Sequence, residues 1–224
     1  MAELTADIAA DVVAACQATA EEIAAAFGRA FDGPIGGVTI GEPATHDAAQ
    51  LPEGFDGPGL VVVLRCGDVG SLALLPESSG LVPGWCAAPD LTGTSKLKTL
   101  AQELSMMLVP DSIVADEFHA IRVEHLGKAL ALAELAEGAA HLPVTLQSGD
   151  KQAQMSVVWP AAKPLALVKV EPPAVSTPAE PKPAGSNPSQ SGDDIPNYMR
   201  SFLRIEVPLS VQLASQEQSV QDIT

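Results

Sequence analysis

The first part of the chain has the spacing of an amphipathic helix. Between residues 4 and 31 large apolar residues recur at steps of three or four positions or their multiples, and alanine fills many of the gaps. Alanine favours helix and lets a helix approach its neighbours closely. Gly33 and Pro34 end the pattern, so the sequence predicts one helix over residues 4–31. Its apolar positions are Ile8, Val12, Cys16, Ile23, Phe27 and Phe31.

A β-hairpin is predicted in the middle of the first half. Residues 60–66 and 69–75 are rich in aliphatic side chains, and Gly67-Asp68 supplies a two-residue turn between them. Residues 60–64 read Leu-Val-Val-Val-Leu without a polar position, as expected for a central strand that is covered on both faces. Upstream, a short strand at residues 35–41 precedes a polar loop at residues 45–59.

The pattern then returns to helices and ends in a second hairpin. Ser95 is the predicted N-cap of a helix over residues 96–108, which Pro110 stops. A second helical pattern covers residues 116–137 and ends at Gly138. Residues 143–147 and 152–159 form the hairpin, with its turn at residues 148–150. Helices mixed with antiparallel hairpins predict an α+β domain over residues 1–160.

Residues 161–194 differ in composition from the domain before them. They are rich in Pro, Ala and Ser and contain few large apolar side chains. Such a segment buries too little surface to offset the entropy lost on ordering. We therefore predict a disordered linker here. Its prolines include Pro164, Pro172, Pro173, Pro178, Pro181, Pro183 and Pro188.

The segment after the linker, residues 195–224, carries a strict alternation. Apolar residues occupy every odd position from 203 to 213, and polar residues or proline occupy the even ones. This period of two predicts a strand with one buried and one wet face. Pro208 lies on the wet face, which places the strand at a sheet edge or a bend. The apolar face must be covered by further residues, another chain or the first domain. The predicted interface is Leu203, Ile205, Val207, Leu209, Val211 and Leu213.

Composition and charge narrow the possible partners. The chain has a formal net charge of −16 with 12 basic residues, which argues against binding nucleic acid or an anionic membrane surface. The N-terminus lacks the features of a signal peptide, and the longest aliphatic run, residues 60–64, is too short to span a bilayer. We therefore expect a cytoplasmic protein without direct membrane insertion, which reaches any membrane through a partner.

The histidines and cysteines do not have the spacing of metal ligands. His119 and His125 are six residues apart, which is not a same-face helical spacing. Cys16, Cys66 and Cys86 are an odd number without paired spacing, so they form neither a disulfide framework nor a zinc site. The sequence thus predicts no metal-binding or cofactor-binding residues.

The alternating segment resembles the start of the C-terminal surface-presentation-of-antigens domain. This domain is shared by the flagellar motor switch proteins FliN, FliM and FliY and by type III secretion relatives, and its core reads aliphatic-x-Val-Pro-aliphatic-x-Val-x-Leu. The segment at Val220, Asp222 and Ile223 is similar to the turn into the family's second strand. The residues that match the core are Leu203, Ile205, Val207, Pro208, Leu209, Val211 and Leu213.

The resemblance implies an architecture and a role. In the family a Leu-rich, Gly-containing stretch follows, so we expect residues 195–224 to be the start of an incomplete, small all-β domain. Residues 1–160 would be a CheC-like or FliM-like domain. The chain would be a non-enzymatic structural subunit of the flagellar motor switch, in the cytoplasmic ring at the inner face of the membrane, and would take part in rotation switching and chemotactic motility. Implied partners are FliM-like and FliG-like proteins and a second copy, with a response regulator or the export apparatus as further partners.

CheC-like domains can be response-regulator phosphatases, so the resemblance also implies a motif to look for. This motif has Asp or Ser, three residues, Glu, two residues and Asn on one helix. Thr99, Glu103 and Met106 have the spacing, but a thioether cannot position the attacking water as an amide does. Glu134 and Glu137 also lack an Asn partner. The sequence therefore predicts no catalytic residues. A CheC-type phosphatase and a type III secretion sorting-platform subunit are the alternatives.

Overall fold

Seven strands form one antiparallel sheet. The computed structural model describes residues 3–168 of the chain. The strands are β1 (Gly37–Ile40), β2 (Ala44–Thr45), β3 (Gly59–Cys66), β4 (Val69–Pro76), β5 (Glu117–Val123), β6 (Leu135–Ser148) and β7 (Lys151–Ala161). Their order in the sheet is β1-β6-β7-β4-β3-β5, and the short β2 pairs with β6 beside β1.

Helices cover both faces of the sheet. They are α1 (Ala9–Ala18), α2 (Ala20–Phe31), α3 (Leu91–Ser105) and α4 (Leu126–Ala133). The first three pack on one face, and α4 packs on the other with a 3₁₀ turn at Pro164–Leu167. Further 3₁₀ turns lie at Ala6–Ile8, Glu77–Ser79 and Gly84–Ala87. The predicted mixed α+β class is confirmed for the described residues.

Strand β3 separates two hydrophobic cores. Leu60, Val62 and Leu64 belong to the larger core under α1, α2 and α3. Val61 and Val63 point to the opposite face and join the smaller core under α4. All five are at most 1% exposed. The prediction that this strand is covered on both faces is confirmed. Each of these side chains contributes about 1.5–3 kcal/mol by burial.

The two predicted hairpins are present. Cys66 pairs with Val69, so β3 and β4 are joined by Gly67 and Asp68, and Gly67 has the positive φ of 67° that favours glycine. Strands β6 and β7 are longer than predicted and pair up to Ser148 and Lys151. The predicted short strand at residues 35–41 is also confirmed, as β1.

The single helix predicted over residues 4–31 is wrong. A 3₁₀ turn opens the segment, and the helical run breaks at Thr19, where φ is −111° and ψ is 18°. The Thr19 hydroxyl donates a hydrogen bond to the Ala15 carbonyl at 2.9 Å. A hydroxyl that bonds back to the preceding turn competes with the regular helical ladder, which explains the break between α1 and α2.

The predicted cap of α3 is also wrong. The helix begins at Leu91, and the Asp90 carboxylate accepts a hydrogen bond from the Gly93 backbone N–H at 2.7 Å. Ser95 therefore lies inside the helix rather than at its N-cap. At the other end the helix stops at Ser105, three residues before the predicted end.

The helix predicted over residues 116–137 is the largest error. This stretch contains β5, then α4, and then the start of β6. Strand β5 pairs with β3 over seven residues and contributes to both cores: Phe118 and Ala120 pack on the larger one and Ile121 on the smaller one. Apolar side chains on both faces hide the period of two, so the pattern was mistaken for a helix.

The packed domain continues a few residues past residue 160. Leu165, Leu167 and Val168 lie against the smaller core, within the stretch that composition assigns to the linker. Within residues 3–168, no helix combines the length and apolar character needed to cross a membrane.

Removal of the α3 cap gives the first testable prediction. Asp90→Ala removes the acceptor for the Gly93 N–H and should lower the free energy of unfolding by about 1 kcal/mol. The matched control is Ser95→Ala, an exposed helix-interior site where alanine has the higher propensity, so stability should stay equal or rise slightly. Urea unfolding of both variants is the measurement. A larger loss for Ser95→Ala than for Asp90→Ala would show that the helix begins where the sequence pattern placed it.

Candidate functional site

The predicted interface lies outside the residues that the structure describes, and its role stays a prediction. It comprises Leu203, Ile205, Val207, Leu209, Val211 and Leu213. The predicted linker also begins at the end of the described region.

A groove between α2 and α3 contains the one glutamate at a phosphatase-like spacing. It has a volume of about 230 Å³. Thr99 and Glu103 both line it from α3, one turn apart, while Ala26 and Ala30 line it from α2. Alanine at these positions lets the two helices approach closely, which keeps the groove shallow.

Two ion pairs join the walls of this groove. The Glu103 carboxylate lies 2.9 Å from the Arg29 guanidinium on α2. Nearby, Lys96 on α3 pairs with Asp32, the residue that caps the C-terminal end of α2. The Glu103 side chain is 24% exposed and that of Arg29 is 58% exposed, so each such pair contributes at most about 1 kcal/mol. Glu103 is therefore already held by a cation in this arrangement.

The third position of the phosphatase-like spacing contributes nothing to the groove. Met106 lies at the C-cap of α3, outside the helix proper, and is 63% exposed. It is not among the residues that line the groove with Glu103. A weak thioether acceptor at this place cannot hold a water against a phosphoryl group, because it donates no hydrogen bond.

Glu134 and Glu137 do not share a helix face. Glu134 is the C-cap of α4 with a φ of 51°, and its carboxylate pairs with the Lys163 ammonium at 2.7 Å. Glu137 lies in β6 and is exposed. Their spacing therefore has no meaning as a helical motif, since the helix predicted to carry them does not exist in that form.

The histidines are dispersed over the domain. His119 on β5 hydrogen-bonds to Glu117 at 2.8 Å, and this contact, with Arg65 nearby, lowers the pKa of the Glu117 carboxyl. His125 precedes α4 and contacts the Asp56 carbonyl. Across residues 3–168, no three His, Cys, Asp or Glu side chains gather in a way that could hold a metal ion.

The three cysteines are free thiols with poor reactivity. Burial raises the pKa of Cys16 to about 12 and those of Cys66 and Cys86 to about 11. A thiol with such a pKa stays protonated near neutral pH, and the thiolate is the nucleophilic form. These positions are therefore suited to packing rather than to covalent chemistry.

Most basic side chains of the domain are already engaged by carboxylates. The cations in ion pairs are Arg29, Arg65, Lys96, Arg122 and Lys163. Lys98, Lys128 and Lys151 form no ion pair with any described residue. The domain thus presents an excess of unpaired carboxylates, which disfavours contact with phosphate-rich partners.

Sequence reasoning identified Glu103 but missed the partner that decides its chemistry. Arg29 is 74 positions away along the chain, and only the packing of α2 against α3 brings the two together. No local pattern around either residue indicates this contact. The sequence also did not show that β1 and β5 lie at the two edges of the sheet. The order of strands in a sheet follows from tertiary pairing, which no local pattern reveals.

No protein-family model matches the sequence, and no curated protein matches it either. Solved structures with a similar arrangement exist. In a FliG–FliM complex from H. pylori, the matched chain is 9% identical, with 74% of this chain and 99% of that chain covered and a TM-score of 0.49. FliY from Thermotoga maritima is 11% identical, with coverages of 72% and 92% and a TM-score of 0.43.

A third structure is a CheX–CheY complex from Borrelia burgdorferi. Its matched chain is 10% identical, with 70% of this chain and 99% of that chain covered and a TM-score of 0.36.

A pair of histidines gives the second testable prediction. His141 lies on β6, and His46 directly follows β2, the short strand that pairs with β6. Ala44 is opposite His141, and the His46 N–H donates to the Ala139 carbonyl at 2.7 Å. Burial lowers the pKa of both imidazoles. Asp47 partly opposes this for His46, and a charged His46 further lowers the pKa of His141.

Because the folded pKa of His141 lies below its usual 6.5, the folded state prefers the neutral ring. Its contribution to stability is complete above pH 6.5 and is lost as the pH falls from there through the lowered pKa. We expect the unfolding free energy of His141→Gln to fall less than that of the wild type between pH 7.5 and 5.5. Urea unfolding at both pH values measures this. Equal decreases in both proteins would contradict the assignment.

Proposed function

We propose that this chain is a non-enzymatic structural subunit of the flagellar motor switch. In this role it binds FliM-like and FliG-like proteins and a second copy of itself in the cytoplasmic ring, at the inner face of the membrane. The observation that carries the proposal is the alternation over residues 203–213, with Pro208 after Val207, which is similar to the core of the surface-presentation-of-antigens domain. A strand with one apolar face cannot be stable without a cover.

The chemistry of the first domain supports binding rather than catalysis. Its one glutamate at a suitable helical spacing, Glu103, is paired with Arg29 at 2.9 Å, and the amide position holds the exposed Met106. An active phosphatase site of this kind would need a carboxylate and an amide directed at one water. The α2–α3 groove provides the first without the second, which disfavours a CheC-type phosphatase.

The electrostatics favour protein partners. The formal net charge is −16, and the described cations are largely neutralised by carboxylates. Contact with a membrane or nucleic acid would place these carboxylates against phosphates of the same sign. A position beside the membrane would therefore depend on other subunits of the ring.

Self-association of the full-length protein tests the proposal. We expect an oligomer at micromolar concentration in sedimentation-velocity experiments. Leu209→Asp places a charge on the apolar face and should raise the dissociation constant by about 10–100-fold, since a buried leucine contributes about 1.5–3 kcal/mol. Ser210→Asp makes a comparable charge change on the wet face and is the matched control, with little effect expected.

Two results would contradict this prediction. One is a strictly monomeric wild-type protein. The other is equal dissociation by Leu209→Asp and Ser210→Asp, because the alternation would then not define the contact. In either case the assignment to the motor switch loses its main support.

A further inference from the structure

Strand β1 forms one end of the sheet and borders a groove. Among the described strands it pairs only with β6. Beside it, the junction of α1 and α2 and the start of β1 enclose a groove of about 730 Å³. Its lining includes Ala18, Ala20, Glu21, Glu22, Gly37 and Val38.

Along its outer edge, β1 presents backbone N–H and C=O groups that pair with no other strand in residues 3–168. The Gly41 N–H donates to the Pro143 carbonyl at 2.9 Å, which continues the β1–β6 ladder by one residue. Residues of an antiparallel strand alternate between facing toward and facing away from their partner. By this alternation, Val38 and Ile40 direct their N–H and C=O groups away from β6, where a further strand could accept and donate hydrogen bonds.

The groove is shaped for a chain that lies close to the backbone. Ala18 and Ala20 are small side chains at the junction of α1 and α2, so the wall opposite β1 has no bulky obstacle. A Cβ placed on Gly37 would meet nothing within 4 Å, which shows open space at the start of the strand. These features provide room for a main chain that runs beside β1 with side chains pointing alternately up and down.

The negative charge at the rim of the groove indicates which kind of segment could bind there. Glu21 and Glu22 are exposed in the first turn of α2, where the helix dipole favours them, and neither forms an ion pair with any described residue. Arg29, on the same helix, is engaged by Glu103. The rim therefore carries one sign of charge and is complementary to lysine or arginine. A second copy bound through its own β1 would bring four glutamates together, which disfavours self-pairing here.

We propose that the groove beside β1 binds an extended, lysine- or arginine-bearing segment of a partner protein by adding it as a strand to the sheet. The outward N–H and C=O groups of Val38 and Ile40 hold its main chain, and Glu21 and Glu22 pair with its cations. This site lies in the first domain and does not involve residues 203–213. A negative result here therefore leaves the proposed switch function standing, and the reverse also holds.

Three synthetic peptides test the mode of binding on the full chain. The probe is a fluorescent heptapeptide in which lysine and valine alternate. One comparison peptide carries glutamate in place of lysine, and another carries proline at alternate positions, which removes ladder donors. At low salt we expect measurable anisotropy changes for the lysine peptide alone, together with shifts of the Val38 and Ile40 amide resonances in NMR spectra. Binding of the glutamate or proline peptide with equal affinity would overturn the proposal.

Variants of the protein locate the site. Glu21→Gln with Glu22→Gln should weaken binding of the lysine peptide by about fivefold, as expected for two exposed ion pairs. Glu53→Gln with Glu137→Gln removes the same charge from exposed positions outside the groove and should leave the affinity nearly unchanged. Val38→Pro removes an outward-facing donor without breaking the β6 ladder, so it should reduce binding while urea unfolding confirms an intact fold.

The variants also have outcomes that would refute the site. If both double-glutamine variants bound the lysine peptide equally weakly, the loss of affinity would come from the change in net charge and not from the groove. Unchanged binding to a folded Val38→Pro protein would exclude strand addition at β1. The Glu21→Gln, Glu22→Gln variant could also dimerise more strongly than the wild type, with a dimer that excludes the peptide. This result would identify a second copy as the occupant and overturn the proposal.

Discussion

The burial of β3 on both faces is the constraint on which the rest of the domain depends. Five consecutive aliphatic residues, Leu60 to Leu64, cannot leave either side of the strand in water. One face is therefore covered by α1, α2 and α3, and the other by α4 and the turn at Pro164–Leu167. The long β6–β7 hairpin extends the same sheet, and its buried side chains form a further part of the sheet's contribution to the larger core. Two helical layers follow from one apolar strand.

With both faces covered, the sheet meets its surroundings at its edges. The two ends differ in chemistry. Strand β5 carries charged side chains: Arg122 pairs with Glu77 at 3.1 Å and with Glu124, and Glu117 contacts His119. Charges along an edge discourage pairing with another strand. Strand β1 has no such charged residues of its own, since its sequence is Gly-Val-Thr-Ile, and it borders the groove under α1 and α2. Of the two edges of the described sheet, the β1 edge therefore has fewer charges of its own that would discourage pairing with another strand.

The hairpins were predictable because their signals are local. Gly67-Asp68 between two aliphatic runs and the turn before Lys151 both define strand ends within a few residues. The region of β5 and α4 was not predictable in the same way. Its strand is apolar on both faces because it lies beside β3, and that position is a property of the tertiary fold. Asp90 was missed as the α3 cap because Ser95, two residues before the apolar Leu97, gave a similar signal.

The chemistry of the candidate site was likewise predictable where it depends on local sequence and unpredictable where it depends on the tertiary fold. The missing amide at Met106 is visible in the sequence, and it already disfavoured catalysis. The neutralisation of Glu103 depends on Arg29, whose position beside it arises only when α2 packs on α3. Local patterns therefore indicated which groups are present, while the fold determined which of them meet. For the segment at residues 203–213 only the pattern is known, and its assignment to a switch-type domain remains a proposal.

The central proposal is that this chain binds proteins and does not catalyse. The most direct measurement is phosphate release from a phosphorylated response regulator mixed with the full-length protein, followed over time against the regulator alone. The account predicts the same rate in both samples, with Glu103→Gln indistinguishable from the wild type. A rate that rises with the concentration of the chain, and that Glu103→Gln abolishes, would contradict it.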